Sequence, residues 1–377
     1  MPHDPVYLDH NATTAVHPEV RDAMLPWLGA LWGNASSGHV YGQRAAAALA
    51  QARARVAALV GAAPDEVIFT SGGTEADNLA IFGVELAHPR IAMSSVEHPA
   101  VEAAVRHRAS NPDDIEFLPV DAQGSVDLVR ASSILREPVG LLSVMLAQNE
   151  TGVIQPVAEL TAMARSASPR VLVHCDAAQA VGKIEVDVRR LGVDLLTIVG
   201  HKFYAPAGIG ALVVGSGVVL HARSLGGGQE RGLRSGTEPV ALAVALGAAC
   251  ALAAGDMGIE HARQLELRER LWALLAAGIP GIVRSGAGVR TLPNTLHIRI
   301  PGTSGAAVLA NTHDVAASTG SACHADHGTV SGVLGAMGVP ASEAQGAVRL
   351  SLGRGTSTAD IERAAAALVR ATASLRR

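Results

Sequence analysis

The sequence predicts an α/β protein: a large domain with a mostly parallel seven-stranded sheet, plus a smaller α+β domain. Two observations carry this. Continuous apolar runs alternate with helical stretches through the first two thirds of the chain, the pattern of a parallel sheet covered on both faces. Near residue 257 the pattern changes to a charged helix followed by shorter, mixed elements. With 377 residues, 49% hydrophobic and 17% charged, the chain is long and apolar enough for both domains.

The expected strands are 66–71 (EVIFTS), 90–95 (RIAMSS), 115–120 (IEFLPV), 140–147 (GLLSVMLA), 170–176 (RVLVHCD), 194–200 (DLLTIVG) and 209–215 (IGALVVG). Helices fall between several of them, at 74–86, 98–109 and 157–167. The gap between the last two strands is too short for a helical crossover, so that pair is expected to be antiparallel. Further on come a charged helix at 261–277, a strand at 294–300, a Gly/Ser/His-rich loop near 318–332, a strand at 347–353 and a closing helix near 358–375.

A net charge of −4 and the lack of any Lys/Arg run argue against nucleic-acid binding. The start, MPHDPVYLDHNATT, lacks the charged and apolar regions of a secretory signal. The apolar stretch 240–255 is shorter than the roughly 20 residues a bilayer needs, so it reads as a buried helix and no membrane association is expected. Three scattered cysteines, Cys175, Cys250 and Cys323, suit a cytoplasmic enzyme with one reactive thiol better than a disulfide framework or a zinc site.

In parallel α/β sheets ligands bind where the carboxyl ends of strands meet loops and helix N-termini, and several polar clusters fall there. TSGGTEADN (70–78) offers backbone N–H groups and the Thr74 hydroxyl to an anion, or is an ordinary strand–helix turn. His98, just past the second strand, is a helix cap or a ligand. Asn149, in QNETG (148–152), is a turn residue or a ligand. Asp176 ends a buried strand, with Gln179 three residues on; cap and ligand are evenly balanced.

Lys202 shifts the balance. It is one of only two lysines against 28 arginines and directly follows an apolar strand. Desolvation lowers a lysine pKa and makes the amine nucleophilic, whereas arginine cannot form an imine. An imine to pyridoxal 5′-phosphate needs a carboxylate for the ring nitrogen, an anion cradle and a flat partner for the ring. Asp176, Thr74 with its glycines, and His98 can supply these. Cys323, in SACHADHGTV (321–330), reads as a thiol activated by nearby histidines; the spacing there suits a metal poorly, and no metal is expected.

The pieces YLDHNATT, TSGGTEADNLA, EHPAV, NETGVIQPV, HCDAAQAVGK, GHKFYAPAGIGAL, GGGQERGLRSGT, SACHADHG and VRLSLGR occur in this order. Together they resemble the class V aminotransferase-fold cysteine desulfurases of the NifS/IscS kind over nearly the whole chain. The resemblance implies a homodimeric, pyridoxal-phosphate-dependent enzyme of fold type I, with residues 15–257 as the large cofactor-binding domain and residues 1–14 and 258–377 as the small one. It implies that Lys202 carries the imine, His98 stacks on the ring, Asp176 partners the ring nitrogen, and Asn149 and Gln179 approach the phenolic oxygen. Gly73, Thr74 and His201 match phosphate and anchoring positions, and Thr237 the residue that reaches the neighbouring subunit's phosphate. Arg349 matches the arginine that holds the substrate carboxylate, with Asn34 as a helper, and Cys323 the persulfide-forming cysteine.

Two departures stand out. Val199 replaces a phosphate-contacting serine, and ACHADHG replaces the usual Cys-Thr-Ser run. Both look closer to selenocysteine lyases. The expected reaction is therefore conversion of L-cysteine to L-alanine with a persulfide on Cys323 for an unidentified acceptor protein; the alternative is release of selenium from L-selenocysteine. An aminotransferase or a non-catalytic sulfur-carrier partner ranks below both.

Overall fold

The computed structural model describes residues 4–320 and 331–376. All seven expected strands form one sheet, in the spatial order Val67–Thr70, Gly210–Val214, Leu195–Val199, Leu172–Asp176, Leu141–Ser143, Ile91–Ser94, Ile115–Leu118. Gly210–Val214 runs antiparallel to both its neighbours, as the short gap before it requires; the other neighbouring pairs are parallel. Most of these strands are buried along their whole length, which is why they read as continuous apolar runs.

A second core gathers residues far apart in sequence. The three-stranded antiparallel sheet Val283–Arg284, Thr295–Arg299, Ala347–Ser351 packs Leu296, Ile298, Val348 and Leu350 against Leu271 and Leu275 and against Leu368 of the closing helix Thr358–Leu375. Val6–Tyr7 joins this region by pairing in parallel with Val315–Ala316.

The stretch 240–255 and the charged helix 261–277 are one continuous helix, Val240–Gly278, of 39 residues. Its length and apolar composition would allow a membrane crossing, so the length argument against one does not hold. One face of it is packed: Ala243, Leu246, Gly247, Ala249 and Cys250 are buried, and Gly247 lies so close to the helix Val40–Leu59 that a Cβ there would stand 2.7 Å from the Ala52 Cα. Alanine and glycine make this stretch apolar because two helices approach closely along it.

Candidate active site

Six of the seven strands run in the same direction and end at one edge of the large sheet, and five of them deliver a polar loop to the site there. These loops and the small sheet enclose a cavity of about 720 Å³ lined by Gly73, Thr74, His98, Asn149, Asp176, Gln179, Val199, His201, Lys202 and Arg349. That volume suits a small organic ligand. Ten sequence-derived positions thus meet in one place.

Gly73 and Thr74 open the helix Gly73–Gly83, whose first N–H groups are unpaired within the helix. Gly73 admits no side chain, since a Cβ would stand 2.6 Å from Val199 Cγ2. His98 is both cap and cavity wall: Nδ1 accepts from the Ala100 N–H at 3.2 Å, fixing the ring at the start of Pro99–Arg108. Burial pushes its pKa down, a nearby Asp77 acting against this. Asp176 is likewise cap and candidate ligand, its Oδ1 accepting from Ala178 N–H at 2.9 Å. Burial and then Asp77 push its carboxyl well above the usual range, so it faces the cavity in want of a cation. Glu97, fully buried beside them, is pushed up to about 8, chiefly by burial, although Ser94 Oγ and the Met145 N–H donate to its Oε1 at 2.5 and 2.8 Å.

The opposite charge gathers around the segment 9–14. Lys202 Nζ donates to the carbonyls of Asn11 and Ala12 at 2.9 and 2.7 Å. His201 Nδ1 pairs with Thr13 Oγ1 at 3.0 Å, and burial and then Lys202 and Lys183 lower its pKa to about 4. Arg349 donates to Asp9 Oδ1 at 2.6 Å and to the Asn149 carbonyl at 3.1 Å, while its buried Nε meets no partner among the described residues. An arginine held on two sides presents its guanidinium in a fixed geometry, as pairing with a carboxylate requires.

Sequence reasoning missed Asn11. Its side chain donates to Thr295 Oγ1 at 2.8 Å and to the Asn149 carbonyl at 3.2 Å, its N–H donates to Ser351 Oγ at 2.9 Å, and its carbonyl also accepts from Gln179 Nε2 at 3.0 Å. It therefore ties the cavity to the small sheet. It also missed Asp9, Glu97 and the second lysine, Lys183. The quoted motifs contain all four, but only contacts between distant segments give them work. Two expected residues lie elsewhere. Asn34 is exposed, its Oδ1 accepting from the Ser36 N–H at 2.9 Å, and Thr237 is exposed outside the cavity lining. Cys323 lies outside the described residues. Gly320 and Ser331, on either side of that stretch, both line the cavity, and Ser331 Oγ donates to Glu150 Oε2 at 2.7 Å.

The family model described as aminotransferase class-V matches residues 6–364. The chain belongs to this family. A cysteine desulfurase of Sinorhizobium fredii (strain NBRC 101917 / NGR234) is 43% identical over 366 residues, covering 95% of this chain and 94% of that one. Among solved structures, a NifS-like protein matches with a TM-score of 0.90 and 31% identity, covering 99% of both chains. SspA in complex with cysteine matches with a TM-score of 0.79 and 31% identity, covering 92% of this chain and 98% of that one. The family's cofactor is pyridoxal 5′-phosphate, and the residues here fit it. Lys202 presents an amine, the raised Asp176 carboxyl calls for a cationic ring nitrogen, and the Gly73 helix start offers N–H groups to a phosphate.

Proposed function

We propose that this chain is a pyridoxal-phosphate-dependent cysteine desulfurase that converts L-cysteine to L-alanine and passes the sulfur on through Cys323. The observation that carries this is the meeting of Lys202, Asp176 and the partly satisfied Arg349 in one cavity whose walls include both flanks of the Cys323 stretch. The cofactor, when bound, holds the substrate amine and draws electrons away from Cα. Arg349, on the cavity wall, binds the substrate carboxylate, with Asn149 beside it, and so aims the Cα–H bond. Lys202 Nζ takes the Cα proton and later returns a proton to the product. Asp176 keeps the ring-nitrogen proton in place. The Cys323 thiolate attacks the substrate sulfur: an S–S bond forms as the substrate Cβ–S bond breaks, leaving a persulfide on Cys323, and protonation of the remaining carbon skeleton completes alanine.

Selenocysteine is the second reading. It is favoured by the resemblance of Val199 and of the ACHADHG run to selenocysteine lyases; the Val199 side chain occupies the cavity wall against Gly73. The two readings separate in steady-state alanine formation from each amino acid, with Cys323→Ala beside the parent. The desulfurase reading expects loss of about 10²-fold or more with cysteine in the variant. Full activity of Cys323→Ala on cysteine would overturn the persulfide step, and a large preference of the parent for selenocysteine would favour the second reading.

We also propose that the enzyme works as a homodimer in the cytoplasm and hands its sulfur to an acceptor protein. An apolar surface supports pairing: Leu28 and Trp32 are each 65% exposed, near exposed Leu25, Val40 and Tyr41. Thr237, exposed and off its own chain's cavity, is then free to reach the partner's phosphate. A monomer mass in light scattering would overturn the pairing. The buried free thiols Cys175 and Cys250 suit a reducing compartment; fractionation of cells tests this.

A further inference from the structure

Lys183 has no part in the chemistry above, yet it is half of the chain's lysine content. It follows Gln179 by four residues in the turn after Asp176, where Lys183 N–H donates to the Ala180 carbonyl and Val181 N–H to that of Ala177. That spacing puts the side chains of 179 and 183 on one face of the turn. Gly182 closes the turn at φ +78°, and a Cβ there would stand 2.7 Å from Phe203 Cβ, so the turn is pressed against the residue after Lys202.

The amide of Gln179, buried at the cavity wall, is held between two unlike partners. Lys183 Nζ donates to its Oε1 at 2.8 Å, and its Nε2 donates to the Asn11 carbonyl at 3.0 Å. A carbonyl can only accept, and Lys183 Nζ places its hydrogens on two oxygens, Gln179 Oε1 and Asn11 Oδ1. Reversing the amide would set N–H against N–H at one end and oxygen against oxygen at the other. Lys183 is itself fixed by Asn11 Oδ1 at 3.2 Å, and Asn294 Nδ2 donates to the same oxygen at 3.0 Å, so the oxygen that seats Lys183 is held in its turn. Gln179 lines the cavity, and among the described residues its Nε2 has one acceptor, which leaves its second hydrogen available.

We propose that Lys183 is a positioning residue that locks the Gln179 amide with its N–H end toward the cofactor's phenolic oxygen. The proposal rests on the cofactor reading above. It makes Gln179 a donor to an oxygen that carries negative charge, where a reversed amide would present a second oxygen. Lys183 does this while lying next to two other cations: burial, Lys202 and then Arg349 hold its ammonium well below the ordinary lysine value.

The test is the pH titration of the bound cofactor's visible absorbance in the full-length holoenzyme. Lys183→Met is expected to raise the midpoint by about one pH unit, because the phenolic oxygen loses a donor. Lys183→Arg, still a donor, is expected to restore the parental midpoint. The deciding arm is the Gln179→Leu background, where Lys183→Met is expected to add no further shift. The same shift in that background would mean that Lys183 acts by its charge alone, and would overturn the proposal; so would an unmoved midpoint in Lys183→Met itself. Lys183→Ala takes the place of Lys183→Met should that variant not fold. Failure of the cofactor reading looks different: purified parent protein would then show no visible band to titrate.

Discussion

The cavity has an acidic end and a basic end, and they are built by different means. Asp77, Glu97 and Asp176 come from the large sheet and the helices packed on it, elements close together in the topology, and burial raises the latter two carboxyls. Lys183, Lys202, His201 and Arg349 are gathered instead around the segment 9–14, and burial lowers Lys183 and His201. Burial thus disfavours charge at both ends. A ligand with a cationic nitrogen and anionic groups relieves both at once, which is the charge pattern of pyridoxal phosphate.

The sharpest way to break this picture is at Lys202. Lys202→Arg keeps a cation able to donate to the Asn11 and Ala12 carbonyls but removes the nucleophilic, titratable amine. Turnover is expected to fall about 10³-fold or more while thermal stability stays near that of the parent; alanine assays and melting curves check this. An active Lys202→Arg would show that the basic end supplies only charge.

A middle-sized effect is expected at Glu97. Its folded pKa of about 8 lies above the ordinary 4.5. Below pH 4.5 both folded and unfolded chains hold the proton and it costs nothing. Between there and pH 8 only the unfolded chain releases it, so Glu97 lowers stability progressively as pH rises. Glu97→Gln should therefore gain about 2–4 °C in Tm relative to the parent on going from pH 5 to pH 8, read by differential scanning calorimetry of cofactor-free protein. An unchanging difference would place the charge elsewhere in the acidic cluster. The smallest effect is expected at Val199. Val199→Ser gains a hydroxyl beside the Gly73 helix start, and cofactor affinity should rise by about three- to tenfold, measured by equilibrium titration.

The sheet was legible in the sequence because its strands are buried on both faces and so are written as unbroken apolar runs. Even the direction of Gly210–Val214 followed from the length of a gap. The helix Val240–Gly278 was read as two because its composition changes midway, from small residues packed on Val40–Leu59 to an amphipathic stretch over the second core. In the site, residues next to strand ends were legible and partners across the chain were not. Lysine scarcity drew attention to Lys202, which follows an apolar run. Lys183 follows a glycine in a turn, and only the distances to Gln179 and Asn11 show what it holds.

Asn11 bonds Ser351, 340 positions along the chain, and the strand Val6–Tyr7 pairs with Val315–Ala316. By contrast, the seven-stranded sheet lies within residues 67–214. During synthesis the sheet can form early, but the segment that seats Lys202 and Lys183 must wait for Ala347–Ser351, the last strand among the described residues, before its own bonds can close. Completion of the cofactor site is thereby tied to synthesis of the strand that holds Ser351, so a product cut short before it is left without a seat for a reactive aldehyde.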